Sequence, residues 1–261
     1  MTRSLVVLAV LLPLLSCVQK EPGEVDAVRE GDLAPCRYET VLHRGAYYDV
    51  VRVNLEYADV RMYWKRTDGS RIATFPALRD WVATQGQRLL VATNGGIFLK
   101  GFIPEGVHVE RGTVVTPTND RSGWGNFYLK PNGVFAILRR GAVVVTTNQF
   151  VAIQREEEVI EATQSGPMLV DHGMIHPVFE DSSFHYNIRS GVAAPRPNEV
   201  ILAISRVEVT LYDFATFFRD KLKCNDALYL EGDITRMYAP ELGRFDTGSC
   251  AGIIGVVARS R

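Results

Sequence analysis

The chain has 261 residues, and 46% of them are hydrophobic, which is enough for a substantial core. Its 29 lysines and arginines nearly balance its 30 aspartates and glutamates, and the formal net charge is -1. Proteins that bind nucleic acid normally carry a basic excess, so this composition predicts no nucleic-acid partner. An anionic ligand would have to be held by local arginines and lysines.

The N-terminal residues have the features of a secretory signal. Arg3 supplies the positive start, and residues 5–15 form an apolar stretch that is too short to span a bilayer comfortably. The Leu-Leu-Ser-Cys run at 14–17 resembles a bacterial lipoprotein box. We therefore expect a signal peptide over residues 1–16 and lipid modification at Cys17. A plain signal peptide with an unrelated cysteine is the alternative.

This start of the chain also predicts a location and a domain organisation. A lipid anchor at Cys17 would hold the protein to a membrane of the bacterial cell envelope, facing the periplasm or the exterior. Residues 17–35 are largely polar and acidic, which predicts a flexible tether. Residues 36–261 contain no obvious linker, so we expect them to form one domain.

Three further cysteines follow the predicted anchor: Cys36, Cys224 and Cys250. An exported compartment favours disulfide bonds. Because three is an odd number, at most one intramolecular bond can form, and the sequence does not choose the pair.

The first part of the predicted domain combines short strands with one helix. Apolar and polar residues alternate at 48–55 and 60–64, which predicts half-buried strands. Residues 75–84 have apolar side chains at helical spacing, and Gly86 is a suitable stop. A strand at 88–92 follows.

The middle of the chain predicts several short strands separated by glycine turns. They cover residues 107–109, 113–115, 127–129, 134–138, 142–146, 168–170 and 191–194. Pro131-Asn132-Gly133 predicts a turn that could join two of them as a hairpin. Residues 155–158 predict a solvated loop or the start of a helix.

The C-terminal part adds a second helix and the last strands. A strand is predicted at 199–204, and Thr210 opens a helix with Asp213 as a possible capping-box partner. Strands are expected at 227–230 and 253–258, and the second is wholly apolar and therefore expected to be central. Few helices among many strands predict an α+β fold, a single domain with a mixed or antiparallel sheet core.

Three predicted strands end in glycine turns that carry polar side chains. The turns are Asn94-Gly95-Gly96, Ser165-Gly166-Pro167 and Glu231-Gly232-Asp233. Glycine permits close approach of the backbone, with amide donors pointing outward, which suits an anionic ligand. Together with Arg189 and Arg236, the turns predict one shared and partly exposed cleft. An ordinary tight turn is the alternative for each of them.

The same turns lie in motifs that resemble those of the phosphodiester glycosidase family. Residues 94–98 (NGGIF) resemble the family's N-[AG]-G-x-[FY], and residues 164–170 (QSGPMLV) resemble its Q-S-G-P-M-L-V. Residues 188–192 (IRSGV) are similar to R-N-G-V, and residues 225–232 (NDALYLEG) to N-A-L-x-L-D-G. Residues 125–135 match the pattern of the family's bacterial exported branch. The motifs occur in family order across residues 36–258.

Two residues depart from the family's pattern inside these motifs. Glu231 stands where the family usually has Asp, and Ser190 stands in place of Asn. The resemblance implies a hydrolase that cleaves the anomeric bond of a sugar-1-phosphodiester, with a glycan or sugar phosphate as its substrate. We expect no cofactor. We also expect no metal, because His172, His176 and His185 have no compact ligand spacing.

The chemistry of such a reaction assigns roles to the residues of the motifs. Arg189 and Arg236 would hold the phosphate by charge-assisted hydrogen bonds. Glu231 would be the carboxylate that faces the sugar or activates water, and two nearby arginines would lower the pKa of its carboxyl. The alternatives are a loop-capping carboxylate at Glu231 and a buried structural ion pair at Arg189.

The remaining candidates would bind the substrate. They are Asn94, Gly95, Gly96, Ser165, Gly166, Gly232, Thr235 and Arg236. The same cleft also fits a second function, a non-catalytic lipoprotein that binds a cell-wall or lipid-linked sugar phosphate. The two functions differ in whether Glu231 takes part in chemistry.

Overall fold

The computed structural model describes residues 34–259. The predicted signal peptide, the lipidation site Cys17 and nearly all of the predicted tether lie outside the described residues. Within the described range, none of the helices has the length and apolar character needed to cross a membrane.

Nineteen strands and three α-helices are found in residues 34–259. The strands are β1 (Cys36–His43), β2 (Ala46–Asn54), β3 (Ala58–Tyr63), β4 (Leu89–Asn94), β5 (Phe98–Leu99), β6 (Ile103–Pro104), β7 (His108–Glu110), β8 (Thr113–Thr116), β9 (Gly133–Leu138), β10 (Gly141–Thr146), β11 (Val159–Ser165), β12 (Met168–Asp171), β13 (Met174–Ile175), β14 (Ser190–Arg196), β15 (Glu199–Ser205), β16 (Ala227–Glu231), β17 (Met237–Ala239), β18 (Arg244–Phe245) and β19 (Ile253–Ala258). The helices are α1 (Phe75–Thr84), α2 (Thr147–Glu156) and α3 (Leu211–Thr216), which a π-helical turn at Phe217–Lys221 continues.

The strands form three main sheets. The largest has the order β1-β2-β15-β14-β16-β12-β13, and two five-stranded sheets have the orders β10-β9-β11-β7-β8 and β18-β17-β4-β19-β3. The strand pairs in these sheets are antiparallel. The predicted α+β single domain with few helices is therefore confirmed, and its core is antiparallel.

Strand β19 shows why a wholly apolar strand indicates a central position. It lies between β4 and β3, and both of its faces are covered. Ile254 and Val256 belong to the core shared with the seven-stranded sheet, whereas Ile253 and Val257 pack with α1 in a second core. Because side chains alternate between the two faces of a strand, burial on both sides requires a continuous apolar run.

Helix α3 covers the other face of the seven-stranded sheet. Thr210 caps the helix by accepting a hydrogen bond from the backbone N–H of Asp213, at 3.0 Å. Phe214, Phe217 and Phe218 are buried against the sheet in a third core. The predicted start of this helix is confirmed.

The predicted strand and hairpin turn in the middle of the chain are wrong, and the prediction for residues 155–158 is right only for the loop at 157–158. Residues 127–129 do not form a strand, because Asn126–Tyr128 is a 3-10 helix that the side chain of Asn132 ties down by donating to the carbonyl of Phe127 at 2.9 Å. The turn at 131–133 therefore joins no hairpin there. Residues 155–156 are the end of α2, whose N-terminus has a capping box between Thr146 and Gln149.

The three cysteines of the domain form no disulfide bond. Cys36, Cys224 and Cys250 are all free and buried. Burial raises the pKa of the Cys224 and Cys250 thiols to about 12, so both are uncharged and unreactive at neutral pH.

Candidate active site

The first glycine turn packs against the end of β11. The hydroxyl of Thr163 donates a hydrogen bond to the carbonyl of Gly95. A Cβ on Gly95 would lie 2.8 Å from the backbone of Gly252, and a Cβ on Gly96 would lie 2.8 Å from the carbonyl oxygen of Gln164. Close packing of three backbone segments thus accounts for both glycines. Their contact with a substrate stays a prediction.

The second glycine turn connects β11 to the end of β16. The Ser165 side chain is completely buried, and its hydroxyl donates to the carbonyl of Leu230 at 3.2 Å. A Cβ on Gly166 would lie 2.7 Å from Cβ of Asn132. The Ser165 hydroxyl therefore holds two strand ends together in this structure.

The third turn is fastened to the first. The side-chain oxygen of Asn94 accepts from the backbone N–H of Arg236 at 2.7 Å, and its amide donates to the carbonyl of Ile234 at 3.3 Å. The hydroxyl of Thr235 donates to the carbonyl of Ile188 at 2.7 Å. Together with the bond from Ser165 to Leu230, these bonds bring the three glycine turns and the segment before Arg189 next to one another in space, although the four segments are far apart in the sequence.

Arg189 is a buried cation without a carboxylate partner. Its side chain is 2% exposed, and no ion pair with a residue of the described chain involves it. Nε donates to the carbonyl of Val209 at 2.8 Å, Nη2 to the carbonyl of His185 at 2.7 Å, and Nη1 to the hydroxyl of Tyr229 at 3.4 Å. A guanidinium has five N–H donors, so two of them remain without a protein partner within residues 34–259.

The electrostatics of Arg189 follow from this environment. Burial lowers the pKa of its guanidinium, and the hydroxyl of Tyr229 and the charge of Asp233 oppose that shift only in part. The alternative of a buried structural ion pair is therefore wrong for this arginine. A desolvated guanidinium that lacks a counter-ion favours binding of an anion.

Gly232 places the third turn directly against this arginine. A Cβ at this position would overlap the hydroxyl oxygen of Tyr229 and lie 3.5 Å from Nη1 of Arg189. Only glycine at position 232 leaves room for the hydroxyl of Tyr229 to accept its hydrogen bond from the guanidinium of Arg189. The motif glycine is thus explained by packing around Arg189, and Tyr229 was not identified from the sequence as part of the site.

Glu231 lies in the adjacent strand. It is the register partner of Ser190 in the β14–β16 pair, next to Arg189 in the chain. Its Oε1 accepts from the backbone N–H groups of Gly232 and Asp233 at 2.8 Å each, and from that of Ile234 at 3.4 Å. The loop-capping role is thus present at Oε1, whereas Oε2 has no hydrogen-bond partner in the described part of the chain.

The pKa expected for Glu231 is wrong in direction. Burial raises the pKa of this carboxyl above its usual 4.5, and the three backbone donors offset the effect only partly. Neither Arg189 nor Arg236 forms an ion pair with it. Desolvation, together with the negative charge of Asp233, therefore raises the pKa, and the guanidinium groups of the two arginines are directed to other partners.

The expected partial burial is also wrong for four candidates. Asn94, Ser165, Arg189 and Glu231 are all buried, and only Thr235 and Arg236 are partly exposed. The reason is that the polar groups of these side chains are bonded to the backbone of neighbouring turns. The side-chain oxygen of Asn94, for example, accepts from the backbone N–H of Arg236 at 2.7 Å.

A cleft of about 740 Å³ opens beside Arg189. Its walls come from the 178–187 loop, from α3 and from the segment next to the 3-10 helix. Arg189 is among the lining residues, whereas Glu231 is not. The cleft therefore gives a ligand access to the buried guanidinium, and the 178–187 loop is a part of the site that sequence motifs did not indicate.

A histidine lies between two carboxylates elsewhere in the domain. Nδ1 of His172 is 3.5 Å from Oδ1 of Asp226 and 3.9 Å from Oδ1 of Asp171. One ligand atom from each residue lies within 4.8 Å of the others. Spacing along the sequence did not indicate this group, because Asp226 comes from a distant turn.

Comparisons with known sequences identify relatives of this chain. A sequence model of the phosphodiester glycosidase family matches residues 87–249. The uncharacterized protein YigE of Escherichia coli (strain K12) is 34% identical over 186 residues, which cover 71% of this chain and 72% of YigE.

Two solved structures share the fold. The catalytic domain of zebrafish N-acetylglucosamine-1-phosphodiester alpha-N-acetylglucosaminidase, auto-inhibited by its pro-peptide, superposes with a TM-score of 0.53 at 16% identity, over 87% of this chain and 82% of that one. A hypothetical protein from Synechocystis gives a TM-score of 0.52 at 16% identity, over 86% of this chain. The present chain spans 62% of the Synechocystis protein.

Proposed function

Because the chain belongs to the phosphodiester glycosidase family, and is a hydrolase of that type, we propose that it cleaves the anomeric bond of a sugar-1-phosphodiester. Arg189 binds the phosphate, and Glu231 supplies the carboxyl group for the reaction. Asn94, Ser165 and Thr235 hold the turns on which these two groups lie.

The buried and unpaired guanidinium of Arg189 is the observation that carries the proposal. Burying a cation without a counter-ion is costly, and a bound phosphodiester would supply the missing negative charge. The two free N–H donors match two oxygens of one phosphate, which is the geometry that arginine favours. The cleft beside Arg189 provides the path by which the phosphate reaches it.

The raised pKa of Glu231 supports a role as proton donor. Its Oε1 accepts three backbone N–H bonds, so the proton belongs on Oε2. As the bond between the anomeric carbon and the phosphate oxygen breaks, Oε2 gives its proton to that oxygen. Water adds to the anomeric carbon, and the proton that the water loses returns to Glu231 through solvent.

Turnover of a panel of sugar-1-phosphodiesters tests this function. We expect the purified protein to release free sugar, and Glu231→Gln to abolish release while the affinity for the ligand stays within a few fold. Glu241→Gln, at an exposed glutamate, is the matched control and should behave like the wild type. Binding without turnover across the whole panel would identify a sugar-phosphate-binding protein instead of an enzyme.

The pH profile tests the proton donor separately. A donor must be protonated, so activity should be full below the pKa of Glu231 in the folded protein and should fall as the pH rises through it. Since burial raises this pKa, the basic limb should lie above the usual range of a glutamate. A profile that instead rises with pH over this range would assign Glu231 as the base.

We further propose that the protein acts in the bacterial cell envelope, anchored through a lipid on Cys17. The Leu-Leu-Ser-Cys run at 14–17 and the polar segment after it support this proposal. Mass spectrometry of the native N-terminus should find a lipidated Cys17. An unmodified N-terminus at another residue would contradict the anchor without affecting the proposed reaction.

A further inference from the structure

We propose that the alcohol esterified to the phosphate of the substrate carries a hydrocarbon chain, and that the cleft beside Arg189 binds this chain. The inference rests on the proposed function, because it specifies the part of the substrate on the far side of the phosphate from the sugar. The substrate class is thus a lipid-linked sugar phosphate.

The outer wall of the cleft presents apolar side chains to solvent. Phe184 is 85% exposed and Val178 is 55% exposed, and both line the cleft. Leu129 and Leu211 line it further in. Exposed apolar side chains beside an opening that leads to a buried cation suit the apolar part of a ligand, because each would gain free energy when covered.

Three polar side chains of the same loop take part in hydrogen bonds within it. The hydroxyl of Ser182 donates to the carboxylate of Glu180 at 3.5 Å, and the hydroxyl of Ser183 accepts from the backbone N–H of His185 at 3.4 Å. The carbonyl of His185 in turn accepts from Arg189. These bonds satisfy part of the polar groups of the loop, whereas Phe184 and Val178 remain exposed and can be covered by a ligand.

Charge and apolar surface are arranged in the order of an amphiphilic phosphate. The guanidinium of Arg189 is almost inaccessible, and Phe184 lies at the rim. An inorganic phosphate would neutralise Arg189 but leave the rim uncovered. A neutral sugar or peptide would leave the guanidinium without a counter-ion. A phosphate ester of a long-chain alcohol satisfies both regions at once.

Ion pairs hold the 178–187 loop in the position that forms this rim. Arg44, in the turn between β1 and β2, pairs with Asp181 of the loop. The same guanidinium pairs with Asp213 of α3 through Nε at 2.7 Å. The two ion pairs thereby connect the loop to two other parts of the domain.

Calorimetric binding of two phosphate monoesters to the purified full chain tests the inference. We compare n-decyl phosphate, below its micelle concentration, with methyl phosphate. The decyl ester should bind at least tenfold more tightly, and Phe184→Ala should reduce this ratio by several fold. Phe184 is exposed, so its replacement should not unfold the protein. Phe245→Ala removes an exposed phenylalanine outside the cleft and should leave the ratio unchanged.

The outcomes separate this inference from the proposed function. Equal affinities for the two esters would refute the inference that the substrate carries a hydrocarbon chain. Tighter binding of a hexose 6-phosphate than of decyl phosphate would refute it as well. Neither result would affect the proposed reaction. Absence of binding by every phosphate ester, in the wild type as in Arg189→Met, would overturn the phosphate site itself. Hydrolysis of matched decyl and methyl esters of one sugar-1-phosphate should show the same preference in kcat/KM.

Discussion

Gly232 is the position at which one methyl group should disturb the surroundings of Arg189. A Cβ there would overlap the hydroxyl oxygen of Tyr229, well inside the 3.0 Å that real Cβ contacts keep. In Gly232→Ala the hydroxyl has to move by about 1 Å or more, which strains the packing. Its 3.4 Å hydrogen bond from Arg189 is then lost.

The size of the effect follows from these two consequences. Overpacking of a well-packed core costs about 1–3 kcal/mol, and the lost hydrogen bond adds about 1 kcal/mol. In a Tyr229→Phe background the overlapping oxygen is absent, and the nearest ring atom, Cζ, lies at 3.1 Å. We expect Gly232→Ala to cost less than about 1 kcal/mol there, which gives a coupling between the two positions of at least about 1 kcal/mol.

Urea denaturation of the wild type, both single variants and the double variant measures this coupling, provided that the m-values agree. Tyr63→Phe, at a buried tyrosine of β3 that is far from Gly232 in the sequence, is the control background and should not reduce the cost of Gly232→Ala. Additive free energies of unfolding in the Tyr229→Phe background would refute the packing of Tyr229 between Gly232 and Arg189. The phosphate affinity of Gly232→Ala should fall as well, because the guanidinium loses one of its supports.

Three further predictions concern the buried polar groups of the domain. Burial raises the pKa of Glu161 from 4.5 to about 7, so its contribution to stability is greatest below about pH 4.5 and declines as the pH rises to about 7. In Glu161→Gln, the pH dependence of the free energy of unfolding between pH 4.5 and 7.5 should be smaller by roughly 3 kcal/mol, and an unchanged dependence would contradict this. Ser190→Ala should change the stability by less than about 1 kcal/mol, because the buried hydroxyl has no hydrogen-bond partner within residues 34–259; a larger loss in urea denaturation would indicate a bond that the structure does not contain. Asn94→Ala should cost about 2–3 kcal/mol in the same assay, because the buried side chain bonds the backbone of Ile234 and Arg236; a cost below about 0.5 kcal/mol would show that the third turn does not depend on these bonds.

Local sequence patterns correctly predicted those helices and strands in which buried and exposed side chains follow a regular pattern along the chain. Helices α1 and α3 were identified from apolar spacing, and β19 from its continuous apolar run, because these patterns reflect which faces of an element are covered. Helix α2 was missed although Thr146 and Gln149 form a recognisable capping box. The segment 127–129 was wrongly predicted to be a strand. Its conformation depends on a hydrogen bond from the side chain of Asn132, and strand propensities do not take such side-chain bonds into account.

The sequence by itself determined the α+β class with a mixed or antiparallel sheet core, the family motifs and the identity of Arg189 and Glu231 as candidates. Only the tertiary structure decided their surroundings. The pKa of Glu231 depends on how much water is removed and on where the arginines point, and these are set by turns far away in the chain. The same holds for Tyr229 and for the cleft wall around Phe184, since no local pattern states which distant side chains meet a buried guanidinium.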